Sequence, residues 1–169
     1  MWSPNKLKRA IAAVSALAVF GIARAEIRVG DAFPPLPSAA PADPALPATR
    51  GRVVLVDFWA SWCAPCKASF PAYARIYADY APRGLVIVAV SVDDDANGYA
   101  AFVRKHAPPF PTVLDRDKKL VSAVAVPAMP TSYLIGRDGR VRFVHEGFHS
   151  GETERELRAE IAALFGEKN

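Results

Sequence analysis

Residues 53–66 read VVLVDFWASWCAPC. Val53 to Phe58 is a nearly continuous apolar, β-branched run, as expected of a strand covered on both faces. Beyond it come Cys63 and Cys66, the chain's only two cysteines. Pro65 between them is tolerated in the first turn of a helix, where its missing N–H would have had no intrahelical partner. The segment therefore reads as strand, tight turn and helix start. The helix is expected from Cys63 to about Tyr80, with Phe70, Ala74, Ile76 and Tyr77 facing inward and Pro71 kinking it.

Downstream, Leu85 to Val92 reads as a second buried strand and Asn97 to Ala107 as a surface helix with Tyr99, Phe102 and Val103 facing in. A short strand at Thr112 to Leu114 and a short helix around Lys118 to Ala125 follow. Ser132 to Ile135 and Val141 to His145 read as strands joined by a turn at Gly136 to Gly139. Glu152 to Phe165 closes the chain as an amphipathic helix with Leu157, Ile161 and Leu164 on one face. Strands alternating with helices, then a hairpin and a last helix, predict an α/β fold: a central mixed β-sheet flanked by helices. Upstream, Asp31 to Thr49 is rich in Pro and Ala, so residues 26–50 read as an extended lead-in with an edge strand, and residues 51–169 as the folded domain. A proline-rich ligand for a partner is the other reading of the lead-in.

Residues 1–25 have the layout of a secretory signal peptide. Lys6, Lys8 and Arg9 precede an apolar run from Ala10 to Ala23, and Ala23-Arg24-Ala25 suits cleavage before Glu26. An uncleaved membrane anchor is the rival reading, against which the run falls short of the length of about 20 apolar residues that spanning requires. An ordinary helix would need a polar face that the run lacks. The whole chain carries 21 Lys+Arg against 17 Asp+Glu. Removing residues 1–25 takes away Lys6, Lys8, Arg9 and Arg24 and no acid, leaving 17 against 17. The basic balance thus belongs to targeting, and no nucleic-acid partner is expected. What remains after cleavage is long enough for one domain with its own core.

A disulfide between residues this close would close a tiny loop and hardly constrain the unfolded chain, so a purely structural role is the weak reading. A thiol is useful as thiolate, and the unpaired amides and positive dipole end of a helix favour a negative sulfur at Cys63. Cys63 is expected to be the exposed, attacking thiol and Cys66, one turn further on, the buried thiol that resolves the mixed disulfide. Asp57, flanked by apolar residues, is the candidate acceptor for the proton of Cys66, its carboxyl pushed upward by burial. The alternative for Asp57 is a buried polar residue tied into hydrogen bonds.

The segment VVLVDFWASWCAPC with Pro71 five residues after Cys66, and a second segment VPAMPTSYLIGRDGRV over 126–141, resemble the active-site and cis-proline segments of the thioredoxin superfamily. The order of signal peptide, VGDAFP, the cysteine segment, SVDDD and MPTSYLIGRDG is most similar to the exported TlpA/ResA-like thioredoxins. That resemblance implies a thioredoxin fold and a thiol–disulfide oxidoreductase needing no cofactor beyond the redox-active Cys63–Cys66 pair. Trp62 would be a wall beside the attacking sulfur. Pro130 would be cis, with Met129 offering its backbone to an extended substrate peptide. Ala64, Pro65, Pro71 and Thr131 would shape the site. The chain departs from many reductive members in carrying Ser69 where they have Glu, and Asp57 where they often have Asn.

Other residues read more plainly. Phe58 and Trp59 are expected in the core, Pro127 in a turn, and Asp93, Asp94 and Asp95 in a solvated acidic loop and not a cation site. His106, His145 and His149 are too scattered to suggest a metal. The competing functions are a Cu(I)-handling protein using Cys63, Cys66 and Met129 and a thiol oxidant of the disulfide-forming type. A peroxiredoxin is disfavoured, because its Thr and Cys would sit differently. The expectation is a monomeric periplasmic reductant of protein disulfides, fed by a membrane thiol carrier. Its expected clients are apocytochrome c, a copper-site assembly protein or a broader set, with the departures at Ser69 and Asp57 weighing against the cytochrome c maturation branch.

Overall fold

The computed structural model describes residues 26–36 and 46–167. The signal or anchor expected over 1–25, and part of the lead-in, lie outside the described residues. The elements follow in chain order: β1 Val54–Trp59, α1 Ala64–Tyr80, a 3-10 turn Ala81–Arg83, β2 Val86–Ser91, α2 Ala96–His106, β3 Thr112–Leu114, α3 Lys119–Val124, β4 Thr131–Ile135, β5 Val141–Glu146 and α4 Glu152–Gly166. Apart from the 3-10 turn, each lies where the residue pattern places it, with small shifts at the ends.

The strands form one sheet in the order β3-β2-β1-β4-β5. β1 runs parallel to β2, and β2 parallel to β3. β4 is antiparallel to β1, with Phe58 opposite Thr131, and β5 is antiparallel to β4. β1 is therefore the central strand, and all six of its residues are buried. This is why its sequence is a continuous apolar run where an edge strand would alternate.

The two faces of the sheet fill separately, as the period of two requires. Val53, Leu55 and Trp59 join Ile87, Ala89 and Leu134 beneath Phe70, Tyr73 and Ile76 of α1, Phe102 of α2 and Leu157, Ile161 and Leu164 of α4. Val54, Val56 and Phe58 join Val86, Val88, Val90, Tyr133 and Ile135 beneath Leu120 and Val124 of α3, with Ile27, Phe33, Leu36 and Leu46 of the lead-in packed against them. One face is thus covered by three helices, and the other by a short helix and extended chain.

The expected edge strand in the lead-in reduces to a single antiparallel bridge between Ala32 and Arg140. Gly30 N–H donates to Val141 O, Val141 N–H to Asp31 O and Phe33 N–H to Gly139 O. Pro34 and Pro35 follow and cannot donate, which ends the pairing. α1 continues through Pro71 as one helix. Its inward face differs from the expected one, because Tyr73 is fully buried where Ala74 and Tyr77 are only partly so. α2 and α3 end on Ala107 and Ala125, both left-handed with φ of 40° and 53°, positions where glycine is usual.

Leu55 is fully buried in the central strand. Leu55→Ala should therefore lower the unfolding free energy by about 2–5 kcal/mol, because it opens a cavity there. Val29, by contrast, is 62% exposed. Val29→Ala should leave stability unchanged to within about 0.5 kcal/mol. Urea denaturation of both variants checks the pair of values.

Candidate active site

The site begins where β1 runs out. Beyond Trp59 the chain turns, Cys63 N–H donating to Ala60 O at 3.1 Å, and Cys63 then caps α1 in an extended conformation. Its Sγ accepts the N–H of Cys66 at 3.2 Å. The sulfur occupies the place of an N-cap oxygen, at the positive end of the helix, where a negative charge is favoured. Cys63 and Cys66 are joined in a disulfide with Cα atoms 5.3 Å apart.

Neither sulfur-bearing residue is open to solvent. Cys63 is 5% exposed and Cys66 fully buried. The expectation of an exposed Cys63 is therefore corrected, because capping turns its side chain back over the first helical turn. The asymmetry survives, in that Cys63 is the one with any exposure. Trp62 beside it is 69% exposed, an apolar surface that burial in the core does not explain. Ala64 and Pro65 are exposed as well.

The second wall comes from the loop before β4. The Met129–Pro130 peptide is cis, Pro130 is buried, and Met129 packs partly buried against both apolar clusters. Thr131 Oγ1 donates to Ala128 O at 2.8 Å and Gly147 N–H donates to Pro130 O at 2.7 Å. The pairing of Thr131 with Phe58 sets this loop at the same sheet edge from which Cys63 departs. Pro71 is not part of that edge; it lies on the exposed side of α1.

Asp57 shares its face of β1 with Leu55 and Trp59, toward α1, and is fully buried. Tyr73 Oη donates to its Oδ1 at 3.0 Å, while Oδ2 finds no donor among the described residues. Burial pushes the Asp57 carboxyl up to about 8, and the Tyr73 hydrogen bond opposes the rise. Burial also pushes the Tyr73 phenol well up, helped by the negative charge of Asp57. The hydroxyls of Ser132 and Ser69 interact with the same phenol. Ser69 Oγ donates to Cys66 O at 2.8 Å, so it spans the turn between the cysteine and the phenol. Tyr73 escaped the sequence reading, although its spacing from Cys66 puts both on one face of α1.

Asp93 was also misplaced by sequence alone. It is 3% exposed, accepts the N–H and Oγ of Ser61 and the Oγ of Ser91 at 2.7 to 3.0 Å, and anchors the turn before Trp62 to the end of β2. Asp95 is the N-cap of α2, accepting from Asn97 N and Gly98 N. Asp94 and Asp95 are both exposed, as expected of the acidic loop, and Asp94 pairs with Lys118 at 3.1 Å. Among the described residues no group of three or more His, Cys, Asp or Glu side chains is arranged to hold a metal. A cleft of about 510 Å³ lined by Phe33, Leu36, Arg50, Val54, Ile135 and Arg137 lies at the opposite end of the sheet.

A cysteine-capped helix and a cis-proline loop thus lie at one sheet edge. The Redoxin family model matches residues 28–161. The chain belongs to the Redoxin family. Its fold is the thioredoxin fold. The chain is 37% identical over 92 residues to thiol-disulfide oxidoreductase ResA of Bacillus subtilis, covering 54% of this chain and 51% of that protein. It is 32% identical over 111 residues to ResA of Geobacillus kaustophilus, covering 65% and 64%. The crystal structure of a Chlorobium tepidum protein provisionally assigned as thiol:disulfide interchange protein DsbE superposes with a TM-score of 0.72 at 33% identity, covering 83% of this chain and all of that one. This Redoxin-family chain spans about half the length of the B. subtilis relative it matches.

The raised carboxyl at Asp57 has a signed consequence. In the unfolded chain Asp titrates near about 4, and in the fold near about 8. Folding thus favours the protonated form, and the stability it contributes is present below about pH 4 and lost as pH rises through about 8. Asp57→Asn removes that slope. The variant should be more stable than the parent by a margin that widens from pH 5 to pH 8, reaching about 1–3 kcal/mol in unfolding free energy and read as a rise in melting temperature. Thermal melts across that range check it; a margin independent of pH would contradict the buried carboxylate.

Proposed function

We propose that the chain is an exported thiol–disulfide oxidoreductase that reduces protein disulfides in the periplasm. The observation that carries the proposal is the buried Asp57 carboxyl, whose Oδ2 is free to take a proton. Attack by the Cys63 thiolate on a substrate disulfide gives a mixed disulfide. Cys66 then loses its proton to Asp57 and attacks Cys63, so that the pair is oxidised by two electrons and the substrate leaves as two thiols. No further cofactor enters, because the cysteine pair carries the electrons.

Trp62 offers an exposed apolar face to the substrate, and Met129, ahead of the cis Pro130, offers backbone for an added strand. Ala64 and Pro65 are exposed beside the sulfur, while Thr131 fixes the proline loop. The expected clients are apocytochrome c or proteins of copper-site assembly. The pair is returned to its dithiol form by a membrane thiol carrier, since an oxidising compartment does not supply electrons itself. The chain acts as a monomer, delivered by residues 1–25 as a cleaved signal or retained anchor.

A disulfide-forming oxidant is the second reading, and the Cys63 cap favours it, since stabilising the thiolate stabilises the reduced form. Equilibration of the full chain with glutathione, followed by tryptophan fluorescence, separates the two. A reductant should give a midpoint below about −230 mV, whereas a value near about −120 mV would establish the oxidant.

Division of labour between the thiols is tested by trapping. Cys66→Ser should accumulate mixed disulfides through Cys63, and Cys63→Ser should accumulate none. In the reduced parent, iodoacetamide should label Cys63 and leave Cys66 protected, because Cys63 has the only solvent exposure of the two and only an accessible thiolate reacts. Equal labelling, read by peptide mass, would contradict the assignment.

A further inference from the structure

The carboxyl of Asp57 is held asymmetrically: one oxygen is engaged by a phenol and the other is bare. We propose that Tyr73 is a positioning residue, which ties down Oδ1 of Asp57 and so leaves Oδ2 as the oxygen that takes the proton of Cys66. This rests on the reading of Asp57 as the base for the resolving thiol.

The geometry runs along α1. Cys66 and Tyr73 lie two turns apart on its buried face, and helical side chains lean toward the N-terminus, so the phenol reaches back toward the turn of Cys66. Ser69 occupies the turn between them, bonded to Cys66 O and in contact with the phenol. Ser69 is small, which leaves that turn open for the phenol to reach Asp57. Ser132 on β4, opposite Asp57 in register, touches the phenol from the other side. The hydroxyl is thereby held on Asp57 Oδ1 with two serines beside it, and the carboxyl cannot rotate to exchange its oxygens without breaking a buried bond.

The charged groups nearest along this face are one strand further out: His145 of β5, in register with Ser132, is paired with Glu156 and Glu160 of α4. Across the sheet Asp57 is opposite Ala89 of β2 and Ser132 of β4. The buried faces above it bring Cys63, Cys66, Phe70 and Tyr73 from α1, Phe102 from α2, and Thr153, Leu157, Ile161 and Leu164 from α4. Tyr73 and the two cysteines are the titratable side chains among these buried residues, and Tyr77, Tyr80 and Tyr99 pack partly buried against the same cluster. A hydrogen bond given to the anion favours the anion. Removing it makes Asp57 a group that deprotonates at higher pH.

The test uses the reduced full chain and dithiobis-nitrobenzoate, which separates the two steps. In the first, the Cys63 thiolate attacks the reagent, a Cys63–thionitrobenzoate disulfide forms and one thionitrobenzoate anion leaves. In the second, Cys66 gives its proton to Asp57, its thiolate attacks Cys63 Sγ, the Cys63–Cys66 bond forms and a second thionitrobenzoate leaves. Two electrons pass from the cysteine pair to the reagent. Tyr73→Phe should leave the first release unchanged, slow the second about tenfold at pH 7 and move its pH inflection about one unit to the alkaline side. 3-Fluorotyrosine placed at position 73 keeps the shape and strengthens the donor, and should move the inflection to the acid side. It decides the matter if Tyr73→Phe does not fold.

An inflection of the second release that neither change moves would overturn the role of Tyr73, as would equal slowing of both releases. Asp57→Asn distinguishes the underlying reading. Loss of the inflection in that variant upholds Asp57 as base whatever Tyr73 does. A parent-like profile in Asp57→Asn would remove the base, and the positioning role with it.

Discussion

A strand hemmed in on both edges and both faces imposes the main constraint on this molecule. β1 has β2 on one side and β4 on the other, so its backbone groups are spoken for, and side chains alternately meet the α1 and α3 layers. Any polar side chain on β1 must be satisfied from the helices or stay unsatisfied. Asp57 is half of each, with one oxygen bonded to Tyr73 and one bare. The same strand ends at the turn that delivers Cys63 to the helix N-terminus. Reactive sulfur, acid and phenol are therefore all placed by the burial of one short strand.

The helix that follows does two jobs with different turns. Its first turn supplies the Cys66 amide to the Cys63 sulfur, and the turns beyond place Ser69 on Cys66 O and Tyr73 on the acid. The turn ahead of it is held from outside, by Asp93 at the end of β2, which gathers Ser61 and Ser91, while the Lys118 ammonium donates to Val92 O and Asp93 O. Rigid support on both sides is what a site needs when its chemistry depends on the placement of one proton.

Much of this was legible in the residues. The β-branched run before the cysteines announced a covered strand, Pro65 announced a helix start, and the turn residues at 136–139 announced the hairpin. Asp57 stood out because a lone acid in such a run demands an explanation. What escaped was whatever depends on one element meeting another. Tyr73 looks like one of several aromatic residues on a helix with more apolar positions than one face can bury, and only the crossing of α1 over β1 selects it. Asp93 sits in a run of three acids that reads as solvated, yet the three take three roles because the β2 end faces Ser61 while the α2 start faces outward. The capping of the helix by Cys63 hides a sulfur that its position in a turn would expose.

The two alanines that end α2 and α3 in the left-handed region bear on how much further this fold can be changed. Each holds a conformation that costs an L-residue about 1–2 kcal/mol, at an end where glycine would adopt it freely. Neither belongs to the cysteine turn. The molecule thus carries slack in its connections while carrying an unsatisfied acid at its centre. Drift in sequence can tighten those ends first and use the margin to tolerate bolder replacements around Trp62 and Met129. The exposed face around Trp62 is in that sense free to change at the expense of two helix ends far from the cysteine turn in the chain.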